Sequence, residues 1–128
     1  MTLKTNLMYG NIVELLEKHH NLSLEVICHQ PLYALIRDTR LLDEKLERYA
    51  KHQATHIDFV LYNRISKLPV LAIEVDGFSY HKPGSEQYAR DLMKDSILEL
   101  YKIPLFRFPT YGSEEREKIE RFLTAKTP

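Results

Sequence analysis

Three carboxylates near the middle of the chain could act together. Asp58 and Glu74 are sixteen residues apart, and a β-hairpin centred on Ser66 would pair them, because paired residue numbers then sum to 132. Directly opposed residues have Cβ atoms roughly 5 Å apart and point to one face of the sheet. Because side chains alternate along a strand, Asp76 would share that face, and His56 would lie opposite Asp76. The spacing predicts that three carboxylates and an imidazole converge if the register holds.

Such a cluster needs electrostatic compensation. The flanking residues on both predicted strands are mainly apolar, and removing a carboxylate from water is costly unless something offsets its charge. Either a proton is shared or a cation binds, and hard oxygen ligands suit Mg²⁺ or Mn²⁺. The alternative is that these acids are solvated on the open face of an antiparallel sheet. Spacing alone leaves both interpretations open.

The helix predicted after these strands carries a polar stripe. Four residues at positions i, i+3, i+4 and i+7 share one face: Gln87, Arg90, Asp91 and Lys94. Lys94 could stabilise charge developing on a phosphate, and Arg90 could hold a backbone phosphate. The stripe alone fits better with a solvated helix face carrying a weak Asp91–Lys94 pair. The residues then expected to face the core are Ala89, Leu92, Met93 and Ile97.

The loop before this helix contains His81. A histidine beside carboxylates can act as a general base, a metal ligand or a proton shuttle. A lone histidine in a polar loop is more often simply solvated, so the sequence leaves its role open.

These residues are positioned by a predicted α/β arrangement. Apolar periodicity predicts helices over 5–18, 86–101 and 114–123, with a further short helix within 41–51. Alternating apolar residues predict a strand over 22–29, further strands are predicted over 56–62, 70–76 and 105–108, and Ser85 is a candidate N-cap. The order of elements indicates a mixed sheet with helices packed on it.

Length and composition limit the class of protein. The 128 residues fit one domain spanning 1–128, with 44% apolar and 28% charged residues. No apolar run is long enough for a membrane span, and the N-terminus lacks the apolar core of a signal peptide. Together with the single Cys28, these features predict a cytoplasmic protein. The net charge of zero argues against a uniformly basic nucleic-acid-binding surface, but it allows a local basic groove.

The combined pattern resembles the PD-(D/E)XK nuclease superfamily. More closely, it resembles a domain of unknown function often found at the C-terminus of superfamily I DNA helicases, a branch similar to very-short-patch-repair-type endonucleases. The shared features, within residues 57–108, are Asp58-Phe59, Ile73-Glu74-Val75-Asp76, His81, Arg90-Asp91-x-x-Lys94-Asp95 and Pro104-Leu105-x-Arg107. Each piece alone is weak, and the combination is specific.

The resemblance implies a restriction-endonuclease-like α-β-β-β-α-β core and hydrolysis of DNA phosphodiesters with Mg²⁺ or Mn²⁺. Asp58 matches the first motif acid and Glu74 the second, and the Val75 carbonyl would be a further metal ligand. The metal would activate a water and stabilise charge on the phosphate. In this interpretation Asp76 assists, His81 and Lys94 act in proton transfer and charge stabilisation, and the DNA contacts come from Gln87, Arg90 and Lys94.

Two features depart from the superfamily pattern. The usual motif lysine, two residues after the second acid, is replaced by Asp76. Close relatives share this acid, so Lys94 could supply the missing cation or His81 its role in proton transfer. Many members also carry a glutamate on the first helix. Glu14 and Glu17 are the candidates, but Glu14 falls opposite the apolar stripe, and no role is assigned to it.

The leading hypothesis is therefore a metal-dependent DNA endonuclease, acting in DNA repair or with a helicase. The alternative is a catalytically inactive nucleic-acid-binding or protein-interaction module of the same fold, which the zero net charge and the absent motif lysine favour somewhat. A weaker third hypothesis is a metal-dependent hydrolase of a small phosphate ester, for which no glycine-rich phosphate cradle is visible.

Overall fold

The computed structural model describes residues 3–75, 84–109 and 113–125. The α-helices within these ranges are α1 (Leu3–Lys18), α2 (Leu32–Leu35), α3 (Glu44–Lys51), α4 (Glu86–Leu100) and α5 (Ser113–Ala125). The strands are β1 (Leu24–Pro31), β2 (His56–Asn63), β3 (Pro69–Val75) and β4 (Leu105–Phe108). The predicted α/β class is confirmed: a four-stranded mixed sheet is flanked by helices, compatible with an α-β-β-β-α-β core.

The sheet has the spatial order β1-β2-β3-β4, in which the first three strands are antiparallel and β4 runs parallel to β3. Helix α4 makes the crossover that a parallel connection requires. The predicted hairpin register is confirmed by three consecutive pairs whose numbers sum to 132: Phe59–Ile73, Val60–Ala72 and Leu61–Leu71. The register shifts only beyond Leu61, towards the turn.

Both faces of the sheet are buried. Helices α1 and α5 cover one face with a core of Met8, Ile12, Leu15, Phe59, Leu61, Leu71, Ile73, Phe108, Ile119 and Leu123. Helices α2, α3 and α4 contribute to the core on the other face, formed by Leu32, Ile36, Ala50, Ile57, Val60, Ala72, Ile97, Leu98 and Ile103. The continuous apolar runs of the two central strands follow from this burial on both sides.

Local capping sets several boundaries. The Ser85 side chain accepts a hydrogen bond from the Tyr88 N–H, so the predicted N-cap of α4 is confirmed. Helix α3 begins at Glu44 because Asp43 caps it by accepting from the Leu46 N–H, whereas the predicted segment began at 41. Strand β1 begins two residues later than predicted, because a short 3-10 helix precedes it and ends at Ser23 with φ 57°.

In the part of the chain that the structure describes, no helix is both long and apolar enough to cross a membrane.

Candidate active site

Glu74 is the buried acid of the site. Only 5% of the residue is exposed, near the end of β3. Its Oε1 accepts a hydrogen bond from Lys94 Nζ at 2.7 Å and lies 3.4 Å from Arg107 Nη2. Lys94 is 8% exposed and also donates to the His56 carbonyl at 3.0 Å. Two cations therefore offset the charge of Glu74, and Lys94 connects α4 to both central strands.

Arg107 is a site residue for which sequence reasoning assigned no role. It lies opposite Glu74 in the parallel register of β3 and β4, and its Nη1 donates to Asp95 at 2.8 Å. Burial disfavours its charged form, but Asp95, Glu74 and Asp91 together raise its pKa above the ordinary value. The available signal was its place in the Pro104-Leu105-x-Arg107 segment, two residues after the start of a strand.

The orientation of α4 corrects the expected solvated stripe. Asp91 and Lys94 are buried, whereas Leu92 is 49% exposed and Ala89 is also exposed. Ile97 faces the core as predicted. The charged side chains turn inwards because the sheet offers partners for them, and α4 packs through ion pairs as well as through apolar contacts.

The other two predicted DNA-contacting residues, Gln87 and Arg90, lie on the same helix as Lys94. Gln87 Nε2 donates to Asp91 Oδ1 at 3.0 Å, and Arg90 donates to Gln87 Oε1 at 3.2 Å. Gln87, Arg90 and Lys94 all line one open cleft. Hydrogen bonds thus connect the exposed Arg90 through Gln87 to the buried Asp91, and Lys94 separately reaches Glu74.

Asp58 lies at the corresponding position on β2. The ladder pairs Phe59 with Ile73, and the register places Asp58 and Glu74 one step further along. The half-buried Asp58 carboxylate accepts a hydrogen bond from the Val75 N–H through Oδ2 at 2.9 Å. It therefore reaches the peptide that follows Glu74, although the described contacts give the two carboxylates different partners.

Asp58 also has histidine neighbours that the sequence did not fully anticipate. One potential ligand atom from each of His29, His56 and Asp58 lies within 4.8 Å of the other two. Convergence of His56 with the acids was predicted from the hairpin, but His29 comes from β1 and was missed. The pattern of apolar residues in β1 carries no signal for it, because only the β1–β2 register brings it close. Asp76 and His81 lie outside the described residues.

The cleft lined by His56, Glu74 and Lys94 carries mainly basic charges on its described residues, although the whole chain is neutral. Its volume is about 640 Å³, and the described residues that line it include four formal cations, Lys45, Arg48, Arg90 and Lys94, and one acid, Glu74. Tyr49 also lines it, and its pKa is raised to about 12, first by burial and then by Glu74 and Asp91. Positive charge is thus concentrated locally among the described residues of this cleft.

The donors near Asp58 suit a divalent cation in their chemistry. The Asp58 carboxylate uses Oδ2 for the Val75 N–H, and the described contacts of Glu74 run through Oε1, so each acid retains a second oxygen for a ligand. Carboxylate and carbonyl oxygens are the ligands that Mg²⁺ and Mn²⁺ prefer.

The glutamate considered on the first helix lies elsewhere. Glu14 is an exposed residue that pairs with Arg116 of α5 at 2.7 Å. Because α1 and α5 pack on the face opposite α4, Glu14 contributes to the contact between these two helices.

Comparison with known proteins gives a family but no activity. No curated protein and no solved structure matches the chain significantly. A family model with the description "Protein of unknown function (DUF2726)" matches residues 5–126. Because the match covers nearly the whole chain, the protein belongs to this family, DUF2726.

Proposed function

We propose that the chain is a divalent-metal-dependent nuclease that hydrolyses phosphodiester bonds in DNA. The observation that carries the proposal is Lys94, whose Nζ lies 2.7 Å from Glu74 Oε1 at a basic cleft. The resemblance to PD-(D/E)XK nucleases calls for a cation beside the second motif acid, and Asp76 stands where its lysine would be. Lys94 supplies that cation from α4, twenty residues along the chain.

The metal would be held by Asp58, Glu74 and the Val75 carbonyl. When bound, it would lower the pKa of a water and polarise the scissile phosphate. Lys94 would stabilise the negative charge that develops on the phosphate oxygens as the water oxygen bonds to phosphorus and the bond to the leaving oxygen breaks. In this proposal His81 accepts the proton of the water and Asp76 assists.

The cleft supports a polyanionic substrate. Lys45, Arg48 and Arg90 are exposed side chains along its lining, whereas Lys94 is buried. Exposed cations on such a surface bind the sugar–phosphate backbone without reading bases, and this binding weakens as salt rises. The arrangement fits a nucleic acid better than a small phosphate ester, because the charges extend beyond one phosphate.

A nicking assay tests the proposal. Supercoiled plasmid is incubated with the full chain and Mn²⁺ or Mg²⁺, beside Asp58→Asn, Glu74→Gln and the control Glu117→Gln, which changes an exposed glutamate on α5. We expect both site variants to lose on the order of 100-fold or more in rate, the scale for removing one group that stabilises developing charge. The control should cut normally, and EDTA should stop cleavage. Equal cleavage by all four proteins would refute the proposal.

A non-catalytic nucleic-acid-binding module remains the second candidate. The observation that favours it is the neutralisation of Glu74 by both Lys94 and Arg107, which leaves this acid less available to a metal. A gel-shift assay with Arg90→Ala separates the two functions. DNA retention that depends on Arg90, without cleavage in any metal, would support the binding module.

The biological setting is also part of the proposal. The resemblance to helicase-associated domains suggests a cytoplasmic role in DNA processing, in repair or beside a helicase. Co-purification with a helicase on a DNA substrate would test this, and its failure would leave the nicking assay unaffected.

A further inference from the structure

We infer that His29, His56 and Asp58 form a binding site for a transition-metal ion of the Zn²⁺ or Mn²⁺ class. Their potential ligand atoms lie within 4.8 Å of one another. This inference goes beyond the proposed function, because it concerns which ion the chain holds and stands whether or not DNA is cut.

The backbone at His29 brings these residues together. The β1–β2 ladder pairs Cys28 with Phe59 and Gln30 with Ile57, but no pair is formed between His29 and Asp58. His29 has φ 50°, a left-handed conformation that is uncommon in residues other than glycine. The ring centroids of His29 and His56 are consequently only 5.1 Å apart, with the planes tilted by 50°.

The side chains of strand β2 also depart from simple alternation at this point. Alternation would place Ile57 and Phe59 on one face, yet Ile57 packs in the cluster beside α4 and Phe59 in the cluster beside α1. The alternation of faces is therefore interrupted at Asp58, between the two apolar residues. The local irregularity on both strands opens the ladder where the three polar side chains meet.

Outer hydrogen bonds already orient two of the three ligands. His56 Nδ1 lies 3.2 Å from the Ala54 carbonyl, which can only accept a proton. Nδ1 must therefore carry the hydrogen, and in the neutral ring Nε2 keeps its lone pair for a metal. Asp58 Oδ2 accepts from the Val75 N–H, which leaves Oδ1 for the same ion. Metal-binding histidines commonly have such a second partner, which fixes the tautomer and the ring orientation.

The donor set selects the class of metal. Two imidazoles and one carboxylate suit Zn²⁺, Mn²⁺ and related ions, whereas Mg²⁺ prefers oxygen ligands alone. Zn–N bonds of about 2.0–2.1 Å place two ligand atoms roughly 3–3.5 Å apart. Both histidines are exposed, so their rings can rotate to close the separation of up to 4.8 Å. Solvent or a phosphate oxygen would complete the coordination.

This site is distinct from a centre built on Glu74. Within the described residues, Glu74 is not a member of the group, and its contacts are with Lys94 and Arg107. The two metal hypotheses share only Asp58. If the ion binds at the histidine site, the histidine variants weaken its binding and Glu74→Gln does not. If it binds at a centre built on Glu74, the reverse holds.

Isothermal titration calorimetry with Zn²⁺ and with Mn²⁺, in a buffer without phosphate, tests the inference. The wild-type chain is compared with His29→Asn, His56→Ala, Glu74→Gln and the control His20→Ala, which removes an exposed histidine. Asparagine tolerates the left-handed backbone of residue 29, and circular dichroism verifies folding. We expect His29→Asn and His56→Ala to weaken metal binding at least about tenfold. Removal of a residue that only hydrogen-bonds to a metal ligand already weakens binding by that factor. His20→Ala should bind as the wild type does, and Glu74→Gln should keep the Zn²⁺ binding that depends on the two histidines.

Three results would overturn the inference: no binding by the wild type, an equal loss in His20→Ala, or a loss confined to Glu74→Gln. Absorption spectra of the Co²⁺-loaded chain give a second readout, because their intensity and position report histidine ligation. Metal binding through the histidines without plasmid cleavage would refute the nuclease proposal alone, so the two proposals fail separately.

Discussion

The substitution Lys94→Met tests how strongly the buried charges hold α4 to the sheet. The side chains of Lys94 and Glu74 are only 10% and 7% exposed. Removing one partner of a buried ion pair costs about 3–5 kcal/mol, because it leaves the other charge uncompensated. Arg107 remains 3.4 Å from Glu74 and reduces this cost, so we expect about 3 kcal/mol, at the lower end of that range.

Urea unfolding measures this loss. With a slope of about 1.5 kcal/mol per molar, a loss of about 3 kcal/mol lowers the midpoint by about 2 M. The matched control is Lys51→Met, which removes a lysine whose side chain is 62% exposed and lies 3.7 Å from Glu47. An exposed pair of this kind contributes less than about 0.5 kcal/mol. Equal midpoints for the two variants would refute the reasoning.

The double variant Glu74→Gln/Lys94→Met identifies the source of the loss. Once neither residue is charged, no buried charge is left without its partner. The double variant should therefore lose less free energy of unfolding than the sum of the losses in the two single variants. We expect a coupling of about 2 kcal/mol, within the range for residues in direct contact. Strict additivity would show that Lys94 contributes through its aliphatic chain and not through its charge.

Two further outcomes follow from single contacts. Asp43→Ala removes the N-cap of α3, which accepts from the Leu46 N–H at 2.8 Å, and should cost about 1 kcal/mol in urea unfolding, whereas Asp43→Asn should restore most of it. Hydrogen bonds from Lys18 and then from His19 lower the pKa of Glu120 from 4.5 to about 2. Because the folded-state pKa is depressed, the stabilisation by Glu120 is complete above pH 4.5 and is lost as the pH falls towards 2. The Tm difference between the wild type and Glu120→Gln should therefore shrink to nothing over this interval, and a constant difference would contradict the assigned cause.

The sheet was largely predictable because its signals are local. A hairpin centred on Ser66 predicted which residues of the two central strands face each other, because the connection between these strands is short. The structure reproduces this register at Phe59, Val60 and Leu61. The N-cap of α4 was likewise readable, because Ser85 acts on a residue three positions away, whereas the Asp43 cap of α3 was not recognised.

The inward turn of α4 could not be predicted in the same way. Helical periodicity assumes that apolar side chains face the core, but Lys94 and Asp91 are buried because the sheet supplies charged partners. These partners are remote in sequence: Lys94 is twenty residues from Glu74, and Arg107 is thirty-three. The sequence of a helix alone does not show that its polar stripe faces charged residues of the sheet.

His29 illustrates a second limit. Its approach to His56 depends on a left-handed residue in a strand, and strand propensity gives no sign of such a residue. The antiparallel pairing of β1 with β2 would otherwise direct attention to the apolar pairs on either side. A cluster assembled across two strands around such a residue requires coordinates, even when each member is visible in the sequence.

The charges at the centre of the molecule are poorly explained by stability alone. Glu74, Lys94 and Asp91 are each less than 9% exposed. Arg107 contacts two of them, with its Nη2 3.4 Å from Glu74 and 3.8 Å from Asp91. Well-packed apolar residues in place of a buried ion pair are often neutral or stabilising, so a fold selected only for stability has little use for such a group. A site that binds a polyanion or a metal does have a use for it, because Lys94 offers a positive charge to a phosphate and Glu74 offers an oxygen to a cation. The proposed nuclease therefore accounts for a feature that packing leaves unexplained.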